Sequence, residues 1–169
     1  MTDMLEVNGT WLYIAETDPA SLTDQMSVIN SSVACVRFVR GRWMTDASEL
    51  FHEWAAALQF PYYFGENWAA FDECLADLEW LQANAYVIVV LDAGYALPDD
   101  EDLLVLLKIL GRVATGWSEA DEFRPARPFK VILQEAPGLR ADKLRNRLER
   151  LSCPIVSIPA SLATKKVST

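Results

Sequence analysis

The spacing of hydrophobic positions changes several times along this chain, and each change marks an element. Thr10–Ile14 alternates like a strand behind Asn8-Gly9, a dipeptide that predicts a hairpin turn. Ser21–Asp24 predicts a short helical turn before Ser31. Val33–Val39 is a β-rich run closed by Arg40-Gly41, and so predicts a strand. Leu50, Phe51, Trp54, Ala55 and Leu58 follow at helical spacing behind capping signals in Thr45–Glu49. After an aromatic loop, Phe71, Leu75 and Leu78 recur at intervals of four and three, one apolar helical stripe. Tyr86–Asp92 is apolar without alternation up to its last residue, the mark of a parallel strand covered on both faces. Leu103, Leu106, Leu107 and Leu110 form the buried stripe of a helix opened by Asp99–Asp102, acids that the helix dipole favours in a first turn. A polar loop from Gly116 to Pro128 precedes a strand over Phe129–Gln134. Arg140–Leu151 reads as a basic amphipathic helix carrying Leu139, Leu144, Leu148 and Leu151 on its apolar side. Pro154–Pro159 reads as an edge strand bracketed by prolines, and residues from Ser161 onward as a fraying tail.

Strands alternating with helices at this spacing predict an α/β domain with a parallel, right-handed sheet. The chain divides into an N-terminal extension (1–31), a central domain (32–135) and a C-terminal helix, strand and tail (136–169) packed on that domain. At 169 residues and 51% hydrophobic content it can bury a full core without staples. Cys35, Cys74 and Cys153 are odd in number, far apart and in apolar context, which fits neither a disulfide framework nor a zinc site. No basic region followed by an apolar run opens the chain, and the longest clean apolar run, Ala85–Leu91, is too short to cross a bilayer. A soluble, cytoplasmic protein is expected.

The net charge of -9 is unevenly spread. Between Trp43 and Leu107 there are 13 acidic residues and no Lys or Arg, whereas from Lys108 onward 12 basic residues face 6 acidic ones. An acidic middle repels nucleic acid, whose binding is built on phosphate contacts, and steers a basic protein inward. A solvated surface kept for solubility is the competing reading. Catalytic chemistry has little to work with. His52 is the only histidine, Cys74 sits beside the Phe71/Leu75 stripe as a small core hydrophobe would, and no glycine motif cradles phosphate. Asp99–Asp102 lacks the spacing and the glycine of a calcium loop. No enzyme, cofactor or metal is expected.

The stretch Phe60–Leu81 holds the strongest candidate. Pro61 stiffens the entry to the loop, Gly65 is expected to supply the freedom for a tight turn, and Asn67 is a good N-cap. Ala69, Asp72, Glu73, Ala76 and Asp77 share a helical face without a single base. Tyr63-Phe64-Gly65-Glu66-Asn67 followed by Cys74-Leu75 resembles the barstar family, inhibitors of guanyl-specific microbial ribonucleases. The likeness is strongest over about 20 residues and extends from Val33 to Leu133 as an order of strands and helices. It implies a parallel three-stranded sheet with packed helices, extended here at both termini. It also implies that a loop tyrosine, the loop asparagine and helix acids contact a basic ribonuclease, extracellular or toxin-type. By position these are Tyr63, Asn67, Asp72, Glu73, Trp68 and Asp77, with Phe64 and Ala69 in the same surface. This chain departs from the pattern in four ways. Ala69 stands where the family carries an acid. Asp72 replaces an aromatic, and the central acid is the longer Glu73. The acid of the third helix falls near Arg112, a reversed charge. Stoichiometric occlusion of a ribonuclease is the favoured function. An interaction module for a non-nuclease partner is the alternative, and a small hydrolase using Cys74 or His52 the third class. Tyr63 and Phe64 have a second reading, in which they only pack the loop onto the core.

Overall fold

The computed structural model describes residues 5–30, 34–120, 122 and 124–158. The expected fraying tail from Ser161 lies outside them. Among the described residues five strands and five α-helices follow one another, alternating except where α2 leads to α3: β1 (Leu12–Glu16), α1 (Pro19–Asn30), β2 (Cys35–Arg40), α2 (Ala47–Leu58), α3 (Trp68–Asp77), β3 (Tyr86–Leu91), α4 (Asp100–Ser118), β4 (Phe129–Glu135), α5 (Leu139–Arg150) and β5 (Val156–Ile158). The strands form one sheet in the order β2-β3-β4-β1-β5, and every pairing is parallel.

This corrects the expected three strands to five. Strands β2, β3 and β4 make the expected trio, and the terminal segments enlarge it. Leu12–Glu16 aligns with Val131–Glu135 along one side of β1, and Val156–Ile158 lies along its other side. The apolar run Leu12–Ala15 is buried as only a strand covered on both faces can be. The expected hairpin is corrected too. A turn does form, with the Gly9 N–H donating to the Glu6 carbonyl at 3.4 Å, but both neighbours of β1 are parallel and distant in sequence. The short helical turn near Ser21 is a twelve-residue helix, and the loop expected from Gly116 begins later, because α4 runs on to Ser118.

Direction of travel decides which face each helix covers. From β1 the chain moves leftward past β4 and β3 to β2, and from β2 onward it moves rightward. Right-handed crossovers in opposite directions place their helices on opposite faces. Accordingly α1 packs Leu22, Met26 and Ile29 on the face formed by Tyr13, Val36, Val87, Val89 and Ile132. The other four helices share the larger core, where Leu12, Ile14, Tyr86, Ile88, Val90, Phe129, Val131 and Leu133 point. At the top of β2, a Cβ on Gly41 would meet the Asp92 carbonyl oxygen at 2.4 Å, so only glycine lets the two strand ends approach so closely.

Candidate acidic docking face

Helix α3 is short, and three hydrogen bonds from aromatic side chains fix it and its exit. Trp117 Nε1 donates to the Leu75 carbonyl at 2.9 Å, Trp80 Nε1 to the Leu58 carbonyl at 2.9 Å, and the Tyr86 hydroxyl to the Leu81 carbonyl at 2.7 Å. Its start is capped by Asn67, whose Oδ1 accepts from the Ala70 N–H at 3.0 Å while Nδ2 donates to the Gly65 carbonyl at 3.0 Å. Leu78 ends it in the left-handed conformation, φ 46°. The strained residue of the loop is Glu66, φ 47°, whereas Gly65 lies outside the left-handed region, contrary to expectation. The amide clamp of Asn67 on the Gly65 carbonyl is the contact that holds this turn.

The aromatic residues divide by side. Phe71 lies at the centre of a cluster with Phe51 (5.7 Å between ring centres), Trp54 (5.3 Å), Phe60 (6.0 Å) and Trp68 (6.0 Å). Phe64 turns inward, edge-on to Phe60 at 5.0 Å and to Phe51 at 6.0 Å, and Trp68 is half-buried against Phe51 at 4.9 Å. Tyr63 points outward, 66% exposed, next to the fully exposed Tyr62, ring centres 5.5 Å apart. Such edge-to-face packing makes the loop a rigid platform rather than a loose one.

Of the expected contact residues, Tyr63, Phe64, Glu73 and Asp77 surround one hollow of about 150 Å³, together with Ala70, Cys74 and Trp80. Asn67, Ala69, Glu73, Ala76 and Asp77 are exposed along one face of α3. Glu73 and Asp77 have no hydrogen-bond or ion-pair partner among the described residues. Asp72 is placed differently: it turns toward α4 and forms an ion pair with Arg112. Its side chain is 24% exposed against 62% for Arg112, and its Oδ1 is buried with no partner. The helix itself carries no base, but the fold brings two alongside. Arg124 lies 4.0 Å over the Trp117 ring and donates to the carbonyls of Ala76 at 3.0 Å and Gly116 at 3.1 Å. Beyond it an open cleft of about 610 Å³ is lined by Asp77, Glu79, Trp117, Arg124 and Arg127.

Burial pushes the Cys74 thiol up, and the charges of Asp77 and Glu73 push it further. That is the reverse of what activates a thiol, and Cys74 is 7% exposed. His52 lies exposed on α2 with Nε2 3.5 Å from Glu66 and Nδ1 3.8 Å from Glu49. Among the described residues no group of three or more His, Cys, Asp or Glu could hold a metal ion, and no helix is long and apolar enough to cross a membrane. Sequence reasoning missed Tyr62, Trp80 and Arg124 as parts of this surface. Tyr62 was adjacent and legible as a loop aromatic. Arg124 lies 48 residues from the carbonyl it meets, and no local pattern announces it.

The sequence profile of a family described as Barstar (barnase inhibitor) matches residues 34–134, well over half of the chain. No curated protein sequence matches. Two Drosophila ORC structures contain chains of similar shape, one bound to AT-rich DNA and Cdc6 and one to GC-rich DNA and Cdc6. They are 11% and 12% identical with TM-scores of 0.46 and 0.48, over 89% of this chain and 49% and 50% of theirs. This chain spans about half the length of those chains, and a likeness that weak carries no argument.

Proposed function

This chain belongs to the barstar family, and on that premise we propose that it binds a basic ribonuclease and blocks its active-site cleft by occupying it. The proposed site is the exposed face of α3 with its loop: Tyr63, Asn67, Ala69, Glu73 and Asp77, with Asp72, Phe64 and Trp68 supporting it from behind. The observation that carries this reading is the pair Glu73 and Asp77, exposed beside Tyr62 and Tyr63 and without an ion-pair partner among the described residues. Carboxylates so presented meet the Arg and Lys groups with which a ribonuclease holds phosphate, and their field draws a basic partner in. No chemistry by this chain is required. A cytoplasmic site of action in the organism that makes the ribonuclease follows from the same proposal.

Capture from the lysate and culture fluid of the source organism tests it, with the wild-type chain and Glu73→Lys as baits and ribonuclease activity as the readout. Recovery of a basic ribonuclease by wild type and not by E73K is expected. Glu119→Lys, just past the end of α4 and outside the acidic row of α3, should retain capture; equal loss in both variants would leave only generic charge attraction. One observation favours a second reading, a module for a non-nuclease partner: the ion pair with Arg112 removes Asp72 from the acidic row. Capture of a different protein, still sensitive to Glu73, would establish that reading.

A further inference from the structure

The surface beside Glu73 and Asp77 is of mixed sign, and the mixing has one principal source. Arg112 projects from α4 onto the flank of α3, where it pairs with Asp72 through one guanidinium nitrogen and stays 62% exposed. Asp72, by contrast, has one oxygen on the arginine and the other buried. What a docking partner meets at this point is therefore a guanidinium with donors to spare, not a carboxylate. Arg124 continues the same seam one turn further along α3, anchored on the Ala76 carbonyl. An acidic row of Glu73 and Asp77 thus runs beside a basic row of Arg112 and Arg124.

From this we propose that Arg112 sets the partner specificity of the face. The partner that fits is a basic protein bearing a carboxylate opposite Arg112, with its Lys and Arg groups confined to the positions opposite Glu73 and Asp77. A uniformly basic cleft is rejected by the repulsion of Arg112, because like charges brought together in an interface cost more than rim attractions return. This rests on the proposed docking site and narrows the partners it accepts.

Inactivated barnase serves as the probe, titrated calorimetrically with the wild type, Arg112→Gln, Asp72→Asn/Arg112→Gln and Glu73→Lys, each checked for folding by thermal melting. Arg112→Gln removes the repulsion and leaves the Asp72 carboxylate without its counter-ion at the edge of the face, so it should bind at least about tenfold more tightly than wild type. That size is the one known for close charge pairs between barnase and barstar, not one drawn from this chain. The double variant, which also lacks Arg112, should keep the part of the gain that comes from the lost repulsion and lose only the part that comes from the freed carboxylate; a complete loss of the gain would overturn the role of Arg112. No gain in R112Q, with E73K still weakening binding, would overturn the role of Arg112 and leave the docking site standing. No measurable binding by any variant would overturn both. The required carboxylate is tested by selecting a surface-randomised library of inactive barnase on the wild-type chain. Enrichment of Asp or Glu substitutions whose advantage disappears on R112Q is expected; enrichment of basic substitutions alone would overturn the proposal.

Discussion

Helix α5 is as basic as α3 is acidic, yet the two use their charges in opposite ways. On α5, Arg140 pairs with the buried Glu135 at 3.3 Å, and Arg145 with Glu16 and the Ser157 hydroxyl. Arg147 meets Asp100 at 2.5 Å and the carbonyls of Ala96 and Leu97. Those arginines fasten the C-terminal helix to β1, to β4 and to the start of α4. On α3, Glu73 and Asp77 fasten nothing among the described residues. A row of like charges is thus either a structural joint or an exposed face, and the difference lies in what the fold places within reach. Composition and periodicity give the two helices the same kind of signal.

The hidden sides of these helices set the largest effect. Phe71→Ala removes the ring around which Phe51, Trp54, Phe60 and Trp68 assemble, and should cost about 3–5 kcal/mol in urea unfolding. Next comes Arg147→Ala, whose side chain is 14% exposed and bonded to three partners. It should destabilise by about 2 kcal/mol while leaving partner capture unchanged; loss of capture with unchanged stability would reverse the roles assigned to α5 and α3. Glu73→Lys is the mirror image. Its stability should stay within about 0.5 kcal/mol of wild type even though docking is abolished, since no internal partner is lost. The smallest effect is on acid stability. The Arg147 hydrogen bond holds the Asp100 carboxyl below its ordinary range, and the Arg40 hydrogen bond does the same for Glu53. A carboxyl lowered by folding contributes stability that is complete above its unfolded pKa, about 4, and is lost as pH falls through the folded value. Urea midpoints between pH 6 and 2 should therefore fall below about pH 4, and less steeply in R147A.

Much of this was legible in the chain. Tyr86–Leu91 declared a doubly covered strand by its unbroken apolarity, Asn67 declared the start of α3, and the loop motif led to the family. What local pattern could not show came from partners far away in sequence. Helix α4 continues through Gly116 because Trp117, two turns past the leucine stripe, is buried and bonded to Leu75. Leu139 was read as part of the apolar side of α5, yet it is 80% exposed at the first turn, and Ala141 takes the buried position. Arg112 looked like a reversed interface charge, and only the packing of α4 on α3 supplies Asp72 as its counter-ion. Strand β1 announced itself by alternation, but its place between β4 and β5 depends on chain segments more than a hundred residues away.

That placement has a mechanical consequence. Because β1 and β5 run parallel, the start of β1 and the end of β5 lie at opposite ends of the sheet along the strand direction. A pull applied through those two flanks slides the strands past each other along their length, loading the hydrogen bonds between them together rather than peeling them one by one. Among the described residues β5 pairs with β1 alone, so under such a load the shear falls on the three-residue β1–β5 seam.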